Sequence, residues 1–103
     1  MYLDDVADQI RAEVSPGVLP DANTEPLFRL YALLALAKGE AVEARDVHDA
    51  WVMWMRERGV QHRSMVPFDE LSPTVQDEDE PFVEAIRRVA RRRARQANEL
   101  PTD

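Results

Sequence analysis

Two stretches of this 103-residue chain would be apolar on every side of a helix. From Leu27 to Ala37 there is one charge, Arg29, in eleven residues. From Ala50 to Met55 six consecutive residues are apolar, and six residues turn through more than a full circle of helix. A helix without a polar face belongs in the middle of a domain. A domain of this length has room for about one such helix. The second must be covered by long loops of its own chain or by another chain, and the expectation is a homodimer or a host protein partner.

The remaining pattern is also helical. Leu3, Val6, Ala7, Ile10 and Val14 recur at helix spacing, with Asp4 and Asp5 where a helix N-terminus favours negative charge. Ser15 to Asp21 holds two prolines and a glycine and ends that helix. The second helix starts with Asn23 or Thr24 as cap, tolerates Pro26 in its first turn and ends at Lys38 before Gly39. A third runs from about Ala44 to Arg58 and is closed by Gly59, with Val47, Trp51, Trp54, Met55 and Arg58 on one face and His48 and Val52 flanking it. Residues 60–81, punctuated by Pro67, Pro73 and Pro81, read as irregular, with one helical turn around Phe68 to Leu71. Met65, Phe68 and Leu71 are its expected buried anchors over the third helix. The last helix begins near Asp79 or Glu80, with Phe82, Ile86, Val89 and Ala90 as its apolar stripe, and frays from Gln96 onward. The fold class is therefore all-α: one compact four-helix domain over residues 1–96, the proline-containing segment packed over helix three, and a tail at 97–103.

Composition narrows the chemistry. There is no cysteine, which excludes a disulfide scaffold, a cysteine zinc module and a thiol nucleophile. No apolar run reaches the roughly 18–20 residues of a membrane span, and the start, Met1 to Asp5, lacks the basic region of a secretory signal, so a cytoplasmic protein is expected. His48-Asp49 is the kind of pair that holds a metal in phosphohydrolases, yet His62 is the one other histidine, and no metal is expected. Neither Ser64 nor Ser72 sits in a nucleophile elbow, and there is no glycine-rich phosphate loop. The chain is read as a non-enzyme without a cofactor.

Charge is strongly segregated. Six of the nine residues from Arg87 to Arg95 are arginine, whereas residues 1–86 carry seven basic and 18 acidic side chains. Acid before the last helix (Asp77 to Glu80) and base at its end complement the helix dipole, and Glu84 can pair with Arg88. The functional reading is a basic patch of Arg87, Arg88, Arg91, Arg92 and Arg95 that meets a nucleic-acid backbone or an acidic protein. Around His48 the aromatic residues Trp51, Trp54 and Phe68 serve either as core or as a pocket wall on which a planar ligand stacks.

The order Val47-His48-Asp49-Ala50-Trp51, then His62, then Met65-Val66-Pro67-Phe68-Asp69-Glu70-Leu71, then Val75 to Asp79 resembles the RyR-type repeat of ryanodine receptors over about residues 43–86. Arg63 follows His62 where that family carries proline. Leu36-Ala37-Lys38-Gly39 followed by Asp46 to Trp51 is also similar to a family of small proteins of actinobacteria and their phages. The first resemblance implies a helical binding module with a possible nucleotide-like ligand, its signature carried by His48, Trp51, Pro67, Phe68 and Leu71. With Trp54 and Met55 these are the expected ligand-binding or interaction residues. The expected function is a non-enzymatic interaction or ligand-sensing module; the alternative is a nucleic-acid accessory protein acting through the arginines.

Overall fold

A computed structural model of the chain describes residues 2–19 and 23–99. The first helix, α1 (Tyr2–Ala12), buries Val6, Ala7 and Ile10 and carries Asp4 and Asp5 in its first turn. A short 3₁₀ turn, Pro16–Val18, follows the break; Pro20 and Asp21 of that break lie outside the described residues. Helix α2 (Glu25–Lys38) starts after Thr24, with Asn23 Oδ1 accepting a hydrogen bond from the Glu25 N–H at 3.2 Å. It stops at Gly39, whose φ of 58° lies in the left-handed region open to glycine.

The join to α3 (Ala44–Glu57) is held by Asp46, whose carboxylate accepts from the Glu43 N–H at 2.8 Å and from Lys38 Nζ at 2.9 Å. Burial works to raise the pKa of Asp46, but these two donors outweigh it and hold the carboxyl below its ordinary value. A five-residue helix, α4 (Pro73–Asp77), interrupts the segment expected to be irregular. Ser72 caps it by accepting from the Val75 N–H at 3.3 Å, with Pro73 in its first turn. The last helix, α5, spans Glu80–Glu99, so its helical backbone runs past Gln96. Gln96, Ala97 and Glu99 of its last turn are good helix formers, and just before that turn the Arg93 guanidinium lies over the Tyr2 ring, 4.8 Å from its centroid. Residues 100–103 of the expected tail lie outside the described residues. Among those described there is no strand; the fold is all-α, four long helices in one globule.

Helix α2 is central, packing against α1, α3 and α5. Phe28 and Tyr31 form its heart: their rings meet edge-on at 5.3 Å, and Phe82 of α5 closes the group, 5.5 Å from Tyr31. The expectation that α2 is covered all round is corrected, because Leu33 is 55% and Leu36 43% exposed. On α3 the buried residues are Val47, His48, Trp54 and Met55, while Trp51 is half-buried and Met53 is 54% exposed. The 3₁₀ turn Phe68–Glu70 does pack on α3. Its anchors Met65, Phe68 and Leu71, however, are half-buried rather than buried, since a covering loop has solvent on its own far side.

Candidate functional site

A cavity of about 420 Å³ opens where α2, α3, the loop after α3 and the start of α5 converge. Such a volume lies within the range of small-molecule sites. Its apolar wall is Leu27 and Tyr31 from α2, Trp51 from α3, and Pro81 and Phe82 from α5. His48, His62 and Ser64 supply polar groups on one side, and Asp77, Glu78 and Asp79 on another. Among the described residues no lysine or arginine lines it.

The His48 side is tightly built. The imidazole is 3% exposed, and its Nε2 stands 2.6 Å from the Val66 carbonyl oxygen. A carbonyl can only accept, so Nε2 carries a proton and neutral His48 has Nδ1 as its acceptor. The ring stacks on Trp51 at 5.8 Å and tilts toward Phe68 at 6.1 Å. His62 meets the Trp51 indole edge-on at 5.4 Å, and its Nδ1 accepts from the Ser64 backbone N–H at 3.0 Å. The Ser64 backbone, rather than its hydroxyl, meets that ring, so no nucleophile–base pair forms. Among the described residues no three His, Asp or Glu side chains gather as a metal site.

Two further groups of the cavity wall, Tyr31 and Asp79, are poised differently. Tyr31 is 1% exposed, lines the cavity, and has no hydrogen-bond partner among the described residues. Burial, and secondarily the charge of Asp79, pushes its phenol well above the ordinary value. Asp79 is pushed up to about 6, chiefly by burial; His48 opposes the rise, and Glu78 and Glu80 add to it. Among the described residues no lysine or arginine compensates the Asp79 charge.

The raised Asp79 value has a stability consequence. Because the folded form binds its proton more tightly than an unfolded aspartate near 3.8, the associated stability is fully present below about pH 4. It is lost as pH rises through about 6. Asp79→Asn is therefore expected to stabilise the domain at neutral pH by about 1 kcal/mol, allowing for solvent screening, and to flatten the stability profile across that window. Urea unfolding at a series of pH values measures both effects. A variant less stable than the parent at pH 7 would contradict this reading.

The second candidate, the arginine ridge, is largely occupied by its own chain. Arg87 donates from Nε and Nη2 to the Val42 carbonyl at 3.0 and 2.7 Å. Arg91 pairs with Glu40 at 2.8 Å and Arg92 with Glu13 at 2.9 Å. Arg88 turns to Glu13 at 3.8 Å instead of forming the expected pair with Glu84. The ridge thus straps α5 to the end of α1 and to the α2–α3 join. Arg95 is exposed, with no ion-pair partner among the described residues.

Of the residues singled out from sequence, His48 and Trp51 line the cavity, and Phe68 backs His48. Trp54 and Met55 belong to the core, where the Arg58 guanidinium lies 4.5 Å above the Trp54 ring. Pro67 is exposed, and neither it nor Leu71 lines the cavity. Tyr31, Phe82 and Asp79 were not singled out as cavity residues, although the acidic run before the last helix marked the neighbourhood of Asp79.

The family described as Domain of unknown function (DUF7701) matches residues 1–91. The chain belongs to that family. The DUF7701 match takes in every residue of the cavity wall and stops within α5, short of Arg92 and Arg95. Comparison with curated proteins gave no match. Comparison with solved structures gave none either. Among the described residues no helix is long and apolar enough to cross a membrane.

Proposed function

We propose that this DUF7701 domain is a non-enzymatic binding module that takes a small organic ligand in the cavity between α2, α3 and the start of α5. The observation that carries the reading is the wall itself. Aromatic side chains from three helices distant in sequence, Tyr31, Trp51 and Phe82, line one cavity, with polar groups at its side. Mostly apolar walls with a few oriented polar groups are what a ligand site requires. The likeness of residues 43–86 to the RyR-type repeat supports the same reading, since that repeat is a binding module.

A thermal-shift screen of small organic molecules tests it. Ligands are expected to raise the Tm of the parent protein and to lose that effect in Trp51→Ala, whose retained helicity is checked by circular dichroism. A screen without response, or equal responses in parent and variant, would contradict the reading.

A second reading, self-association, rests on Leu33 and Leu36, exposed one turn apart on α2, and on exposed Met53 of α3. Sedimentation is expected to show a dimer at tens of micromolar protein, and a monomer there would remove it. The nucleic-acid alternative loses support from the engagement of Arg87, Arg88, Arg91 and Arg92 within the chain. A phosphate backbone would have to compete with partners already in place.

A further inference from the structure

The cavity wall carries more carboxylates than basic groups: against them stand His48, which opposes the rise at Asp79, and His62. Among the described residues three carboxylates, Asp77, Glu78 and Asp79, line it, and no lysine or arginine does. Asp79 is half-buried, where an unpaired carboxylate lacks the full solvation that water would give it. Among the described residues Tyr31 makes no hydrogen bond, so its hydroxyl oxygen is open to a donor, and His48 has its Nε2 committed to Val66. A phosphate or carboxylate ligand would meet like charge at Asp77, Glu78 and Asp79. A ligand bringing positive charge and N–H donors would satisfy Asp79 and Tyr31 together, and aromatic faces attract cations.

Resting on the binding-module reading above, we propose that the cavity takes an organic cation, a primary ammonium or guanidinium carried on an apolar body. The charged head donates to the Asp79 carboxylate and to the Tyr31 hydroxyl oxygen, while the body lies against Trp51 and Phe82. The same chemistry is offered by a free amine and by a lysine or arginine side chain of a partner protein. Their shared head group is what the cavity recognises.

Calorimetric titration with phenethylammonium, 2-phenylethanol and phenylacetate, matched in body and different in charge, tests the proposal. The ammonium is expected to bind and the carboxylate not to, with the alcohol weaker than the ammonium. Asp79→Asn is expected to weaken the ammonium by roughly tenfold or more, the scale of a lost charge-assisted hydrogen bond. Tyr31→Phe keeps the ring, removes only the hydroxyl, and is expected to weaken it several-fold. Agmatine and an arginine peptide blocked at both ends separate the sources: tighter binding of the peptide supports a protein side chain, tighter binding of agmatine a free amine. Binding of phenylacetate or 2-phenylethanol as tight as that of the ammonium would overturn the cation proposal and leave the cavity as a binding site. Unchanged ammonium affinity in Asp79→Asn would overturn it too. Absence of binding by every probe would overturn both the proposal and the reading beneath it.

Discussion

Replacing Phe28 by alanine is expected to destabilise the domain by about 3–5 kcal/mol, a large part of what a chain of this size possesses. Phe28 is fully buried and touches the two rings that organise the centre, Tyr31 at 5.3 Å and Phe82 at 6.4 Å. The Arg11 guanidinium covers its outer side, 4.6 Å from the ring centroid. Truncation leaves a void that helices α1, α2 and α5 cannot all close, because each is held by other contacts. Tyr31 and Phe82 are also cavity wall, so the loss reaches the site: where the variant still folds, ligand binding should weaken with stability. Urea unfolding monitored by helicity gives the first quantity, and a cost below about 1 kcal/mol would mean that the core repacks freely.

His48→Ala is expected to cost about 2–3 kcal/mol, by a different route. It removes the ring that holds Trp51 and Phe68, and it leaves the Val66 carbonyl without its 2.6 Å donor. The imidazole is the bolt between α3 and the covering segment. Limited proteolysis should therefore cut residues 60–71 faster in the variant than in the parent, with α1, α2 and α5 protected as before. Equal cutting rates would show that the segment is held by other contacts. His48→Gln, which can restore a donor without the ring, is expected to recover part of the stability.

The helix ends were legible because local chemistry sets them. Pro26 admits a first turn, and Gly39 and Gly59 take positive φ at the ends of α2 and α3. Helix α4 was missed because five residues show no period, although Ser72-Pro73 is a start signal on its own. The apolar count of α2 told that it is central but not which side stays open. Leu33 and Leu36 face outward because α1, α3 and α5 surround only part of the helix. The arginine run was visible in sequence, while its partners Glu13, Glu40 and Val42 are between 45 and 79 residues away along the chain. The cavity was half legible for the same reason. His48 and Trp51 share a helix and a spacing, whereas Tyr31 and Asp79 reach the cavity only through tertiary packing.

The chain carries two tryptophans, Trp51 on the cavity wall and Trp54 in the core with its Nε1 buried and unpartnered. Their indole N–H resonances report separately on the site and on the fold. On titration with phenethylammonium the Trp51 signal is expected to move to saturation while the Trp54 signal stays in place. A Trp51 signal unmoved at millimolar ligand, or one that moves only together with that of Trp54, would contradict the assignment of this cavity as the binding site.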